Sequence, residues 1–275
     1  MTVVLITGCS SGIGRATAQR LLARGCTVYA TARRIDSIAD LAAAGCHTLA
    51  LDVTDEESMT RAVAHVEAAH GAIDVLVNNA GYGEYGVIEE ADLDRVRAQF
   101  ETKVFGLARL SQLVLPAMRR QGGGRIINVG SMGGRLVFPG GGYYHASKYA
   151  VEAITDALRF EAAPFGVQVS LIEPGLIRTG FGDTAAGTLA GSAVHSGPYA
   201  TLNKAVDESM ARGYANRTMS APPEAVARAI DHAATARRPR ARYVVTAAAK
   251  IMVHTRRLLG ARVFDAFLRT QFPGR

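Results

Sequence analysis

At 275 residues, 48% hydrophobic and 20% charged, the chain is long enough for one large α/β domain with a substantial core, and this balance excludes extended disorder. The formal net charge of +7 does not describe a basic nucleic-acid face, because residues 250–275 hold six Lys/Arg against one Asp while the remainder is nearly balanced. Cys9, Cys26 and Cys46 show no CxxC or Cys/His ligand spacing, which argues against a disulfide framework and a metal site and points to a reducing cytoplasm.

The first apolar run, residues 2–7, has no basic flank and meets turn residues too early for a signal or membrane-spanning helix, so it reads as a strand. Further strand-like runs at 27–30, 47–51, 73–77, 125–129 and 167–172 alternate with helical stretches. Parallel strands need such crossovers, so the pattern predicts a Rossmann-type α/β fold: a doubly wound parallel sheet with helices on both faces, in a single domain over 1–275. A last strand is expected near 243–245.

Ligands of these sheets bind beyond the carboxyl ends of the strands, which places residues 180–217 as a substrate lid. Its Phe181, Leu189, Tyr199, Leu202, Met210 and Tyr214 either enclose a lipophilic substrate or pack internally. Residues 248–275 read as a basic helical extension, with Ile251, Leu258, Leu259, Val263, Phe264, Phe267 and Leu268 at helical spacing among arginines. Docking onto the protein or a partner subunit is favoured over a membrane-surface helix.

The first strand runs into Thr7-Gly8-Cys9-Ser10-Ser11-Gly12-Ile13-Gly14 and then a helix. Glycines let the backbone approach a pyrophosphate, and the helix amino terminus offers free N–H groups and positive potential. Cys9 fits there as a small residue rather than a redox centre. At the end of the second strand an acidic side chain would accept from the ribose of NAD; here Tyr29-Ala30-Thr31-Ala32-Arg33-Arg34 holds no acid and ends on Arg33 and Arg34, whose planar forks suit a phosphate. NADP(H) is therefore favoured over NAD(H).

In Tyr143-Tyr144-His145-Ala146-Ser147-Lys148, residues 144 and 148 share a helix face. Tyr143 lies roughly 140° around the helix from Lys148 and is the poorer candidate. A nearby ammonium stabilises phenolate, as a tyrosine acid/base near neutral pH requires. Ser131 closes the fifth strand, thirteen residues before Tyr144. His145 is expected to be structural or solvated, and His65 and His70 to lie on the surface.

TGxxxGxG at 7–14, Asp52 and Val53 after the third strand, Asn78-Asn79-Ala80-Gly81 after the fourth, Ser131, the YxxxK pair, and Pro174-Gly175 with Ile177 and Thr179 occur in one order. In these motifs the sequence resembles the short-chain dehydrogenase/reductase family, in the branch of 17β-hydroxysteroid and retinol dehydrogenase-like proteins. The resemblance implies hydride transfer between NADP(H) and a carbonyl/alcohol pair, with Ser131 orienting the substrate oxygen, Tyr144 moving its proton, and Lys148 tuning Tyr144 and binding the nicotinamide ribose. It assigns cofactor contacts to Gly8, Ser10, Ser11, Gly12, Ile13, Gly14, Asp52, Val53, Asn79, Ala80, Gly81, Pro174, Gly175, Ile177 and Thr179. It also implies a homodimer or homotetramer built on helices near 107–118 and 149–160.

One position departs from the family pattern. Where NxxG normally carries an asparagine that holds a water of the proton relay, this chain has Lys103. Its cation either approaches Lys148 and lowers the tyrosine pKa further, or its long stem carries it to solvent. The substitution and the basic tail leave a rival reading, an NADP(H)-binding regulator without turnover.

Overall fold

The computed structural model describes residues 1–180 and 197–272; Phe181 and Leu189 lie outside the described residues. The element order is β1 (Val3–Ile6), α1 (Gly12–Ala23), β2 (Thr27–Ala32), α2 (Ala39–Ala43), β3 (His47–Ala50), α3 (Glu56–His70), β4 (Val75–Asn78), α4 (Leu93–Phe100), α5 (Gly106–Arg120), β5 (Gly124–Val129) and α6 (Gly142–Ala162). It continues through β6 (Val167–Pro174), β7 (Leu176–Ile177), α7 (Ala200–Ala215), β8 (Ser220–Ala221), α8 (Pro223–Thr235), β9 (Arg242–Val245) and α9 (Ala247–Gln271). Seven strands pair in parallel in the order β3-β2-β1-β4-β5-β6-β9, and β7 pairs with β8 in a separate ribbon.

The strands are apolar without strict alternation because both faces are covered. Along β1, Val4 and Ile6 join the core under α1 and α8 with Val28, Val226 and Ile230. Val3 and Leu5 point to the opposite core, with Met59 and Val63 of α3 and Leu110, Val114 and Met118 of α5. This is the predicted doubly wound sheet. The fourth strand starts two residues later than expected: Asp74 ends the edge of the ladder by accepting from the Val3 amide at 2.7 Å, although Ile73 remains in the core.

The strand order reverses between β1 and β4, so the connections leaving their carboxyl ends diverge and open a cleft. The glycine loop leaves β1 there and residues 79–81 leave β4.

The basic extension forms α9, but not as one uniform helix. Gly260, at φ 74° and ψ −175°, breaks it. Val253 and Phe264 pack on Leu136, and Phe272 packs on Val206, while Leu258 is 79% exposed and Ile251 67%. The expected docking onto the protein thus uses one side of the segment and leaves the other apolar positions uncovered. Among the described residues, no helix is long and apolar enough to cross a membrane.

Candidate active site

The glycine loop is shaped by contacts that no side chain could share. Gly8 has φ 73°, and a Cβ on it would come 2.9 Å from the Ala80 Cα; one on Gly14 would come 2.2 Å from the Gly8 carbonyl oxygen. Thr7 holds the loop against β4, its hydroxyl accepting from the amides of Asn79 and Ala80 at 2.9 Å each. The Asn79 amide group donates to the carbonyls of Thr7 and Gly8, at 2.8 and 3.1 Å, so this side chain braces the loop. Ser10 and Ser11 are exposed, Ile13 packs against the core, and Ser11 leaves α1 without a side-chain cap. A helix amino terminus behind a glycine-rich turn fits a pyrophosphate.

Arg33 and Arg34 are exposed at the carboxyl end of β2. Among the described residues neither guanidinium is ion-paired. At the end of the neighbouring strand β3, Asp52 accepts from the amide and hydroxyl of Thr54 at 2.9 and 2.8 Å, and Val53 is buried. Pro174 and Gly175 lie where β6 meets β9, Ile177 is buried in β7, and the Thr179 methyl lies 3.0 Å from where a Gly12 Cβ would stand. The residues assigned from separate motifs therefore lie at or just beyond the carboxyl ends of the strands of one sheet. Cys9 has no access to the cleft: fully buried, its thiol faces the Ile6 carbonyl, and burial pushes its pKa up to about 12.

Helix α6 presents Tyr144 and Lys148 on its buried side, while Tyr143 is only half-buried. The Lys148 Nζ donates to the Val129 carbonyl at the end of β5, at 2.8 Å. Burial lowers its pKa to about 8, partly opposed by Glu152. Ser131, two residues beyond that carbonyl, accepts from the Gly133 amide at 3.0 Å and is hydrogen-bonded to Tyr144. Burial pushes the Tyr144 phenol up to about 12, with the Ser131 bond opposing. β5 thus delivers Ser131 and the carbonyl that seats Lys148, and one turn of α6 delivers the other two groups.

Lys103 does not reach solvent. It is 2% exposed, and its Nζ lies 4.0 Å from the centre of the Tyr144 ring. The solvent alternative is thereby excluded, and burial leaves the Tyr144 pKa raised overall. His145 is structural and not solvated, and His65 and His70 are exposed.

Sequence reasoning missed several residues. Tyr85 stacks on Tyr144 with ring centres 5.1 Å apart, and Tyr214 of α7, already expected in the lid, is close enough to Tyr144 that its own ionisation is disfavoured further. Gly106 is required because a Cβ there would come 2.3 Å from the Val53 carbonyl oxygen. Asn78 donates to Asn128 at 2.9 Å, and Asn128 to Thr155 at 2.9 Å, locking β4, β5 and α6 together beneath the site. Asn78, in the Asn-Asn-Ala-Gly motif, and Gly106, the last residue of the altered NxxG, had local signals.

The sequence matches the family described as short chain dehydrogenase over residues 2–188. The chain belongs to the short-chain dehydrogenase/reductase family. It is 38% identical over 267 residues to "Uncharacterized oxidoreductase YbbO" of Escherichia coli strain K12, covering 97% of this chain and 93% of that one. It is 36% identical over 256 residues to the NADPH-dependent 3-dehydrocapnine reductase of Ornithobacterium rhinotracheale, covering 89% and 88%. The solved structure of a short-chain dehydrogenase from Streptomyces avermitilis superposes with a TM-score of 0.81 at 34% identity, over 98% of this chain and 95% of that one. The short-chain dehydrogenase/reductase family consists of oxidoreductases that bind a nicotinamide cofactor, and this member has the family's parallel sheet and cleft.

Proposed function

We propose that this short-chain dehydrogenase/reductase reduces a lipophilic ketone or aldehyde with NADPH, reversibly, through Ser131, Tyr144 and Lys148. The convergence of these three side chains, from β5 and one face of α6, carries the reading. The bound nicotinamide supplies the hydride. Ser131 holds the substrate oxygen, and Tyr144 gives its proton to that oxygen as negative charge develops there. Lys148, anchored on the Val129 carbonyl, keeps positive charge beside the phenol and would hold the nicotinamide ribose. These roles need a buried, oriented acid, which the packing of Tyr144 provides.

Arg33 and Arg34 beside Ala32, without an ion pair among the described residues, support NADP(H), since a 2′-phosphate would meet two cations. The NADPH-dependent relative supports the same choice. Tyr85 and Phe138 join Leu202, Val206 and Met210 of α7 with Leu268 and Phe272 in one apolar cluster next to Tyr144. Such walls suit a lipophilic substrate. The lid and tail therefore meet at the site.

NADPH oxidation across a panel of lipophilic ketones and aldehydes tests the reading. Turnover should fall about 100-fold or more in Tyr144→Phe, and KM should be lower for NADPH than for NADH. Cofactor binding without turnover across the panel would replace this reading with the non-catalytic regulator, and a strong NADH preference would overturn the cofactor assignment.

A further inference from the structure

Between α4 and α5, residues Glu101–Phe105 form a π-helical turn, whose extra residue changes which side chain faces inward. The residue turned in is Lys103. Its Nζ lies 3.3 Å from the Gln99 Oε1, an oxygen that also accepts from the Glu84 amide at 2.9 Å. Its stem runs beneath Gly81, where a Cβ would come 3.4 Å from both Cγ and Cε. The amine ends on the face of the Tyr144 ring. Asparagine, the family's residue here, has neither the reach nor the charge for this seat.

Burying a charged lysine costs stability unless the charge is held by partners, which here are the Gln99 oxygen and the face of the Tyr144 ring. We infer that Lys103 is a positioning residue for Tyr144: its ammonium, held on the ring face, supports the phenolate that forms when Tyr144 gives its proton to the substrate. This rests on the role proposed above for Tyr144. In the step, the Tyr144 O–H bond breaks and the substrate O–H bond forms, with the electron pair left on the phenol oxygen. Lys103 makes and breaks no covalent bond.

The groups facing Lys103 set when it is charged. Glu84 lies on the segment after β4 and is paired with Arg95 at 3.0 Å. Tyr144, His145 and Lys148 come from α6, with Tyr85 stacked beyond Tyr144. Burial and Lys148 hold the Lys103 pKa well below the ordinary lysine value, with Glu84 opposing, whereas Tyr144 is pushed up to about 12. Lys103 therefore loses its proton before Tyr144 does. Its support exists below its own depressed pKa and disappears as pH rises through that value, giving carbonyl reduction an alkaline limb that belongs to Lys103, in addition to the one that Lys148 sets near its own lowered pKa of about 8.

The chain has only four lysines, Lys103, Lys148, Lys204 and Lys250, so each can be followed by NMR of lysine labelled at Cε in the NADPH complex, with Lys103 assigned by its loss in Lys103→Met. Its titration midpoint should coincide with one alkaline limb of kcat. Lys103→Met should lose about ten-fold or more of kcat below that pH, keep the KM for NADPH and lack that limb. Lys103→Arg, permanently charged, should retain kcat and move that limb to higher pH. A Lys103→Met enzyme with wild-type kcat and both limbs overturns the inference, as does a Lys103 that titrates like an ordinary surface lysine. Absence of turnover by the wild-type protein on any carbonyl overturns instead the reductase reading on which this inference rests.

Discussion

The two ring nitrogens of His145 are committed to opposite roles. Nε2 accepts from the Phe138 amide at 3.1 Å, and Nδ1 faces the Gly133 carbonyl at 3.0 Å, so Nδ1 must carry the hydrogen. Protonating Nε2 would set donor against donor in a buried site. Burial accordingly lowers the His145 pKa to about 4 from an ordinary 6.5. The unfolded chain takes up this proton near its ordinary pKa and the folded chain resists it, so stability is fully present above about pH 6.5 and is lost as pH falls toward about 4. His145→Gln keeps a donor and an acceptor but cannot titrate. Its urea midpoint should therefore fall less between about pH 7 and pH 4.5 than that of the wild type; parallel declines would show that another group governs acid sensitivity. The bland reading of a histidine beside the YxxxK tyrosine was available from the sequence, but its tautomer was not, because both partners lie in the loop that folds back over α6.

At the scale of elements, α9 shows how one segment can carry apolar residues with different tasks. Phe264 is 6% exposed and meets Phe138 edge-on with ring centres 5.9 Å apart, whereas Leu258 is 79% exposed. Phe264→Ala should cost about 3–5 kcal/mol of stability. Leu258→Ser should stay within about 0.5 kcal/mol. Equal effects in chemical denaturation would mean that the tail packs otherwise. Helical spacing foretold the helix because it is a local property. It did not foretell the break at Gly260, which lets the second half turn back onto the loop after Ser131. The π-helical turn at residues 101–105 was equally hidden, since its residues read as ordinary helix formers and their inward turn depends on packing against α6.

Across the whole molecule, one ionic network ties the far strands to α6. The Arg242 guanidinium in β9 reaches Glu173 of β6 at 2.6 Å, Asp156 of α6 at 2.5 Å, and Glu152 of α6. Burial raises the Glu152 pKa to about 7, reinforced by Glu173 and opposed by Arg242. Arg242→Met leaves the buried Glu152 and Glu173 carboxyls with only Arg135, 3.4 Å from Glu173, which should cost about 3 kcal/mol near neutral pH. A raised carboxyl pKa means the folded state holds the proton longer than the unfolded one, so stability falls as pH rises from about 4.5 through about 7. The variant should therefore be less impaired at about pH 5 than at about pH 8 by thermal denaturation. A deficit independent of pH would indicate lost packing rather than unpaired charge.

The alternation of apolar strands and helices, the glycine loop and the four-residue spacing of Tyr144 and Lys148 were legible because each is a local pattern enforced by backbone geometry. They determined the sheet class, the location of the cleft and a shared face for two candidate groups. The strand order that opens the cleft, the contact of Lys103 with the Tyr144 ring and the Arg242 network were decided only by the tertiary structure. Each joins residues far apart in sequence, whose approach depends on the sheet twist and on which helix faces are buried together.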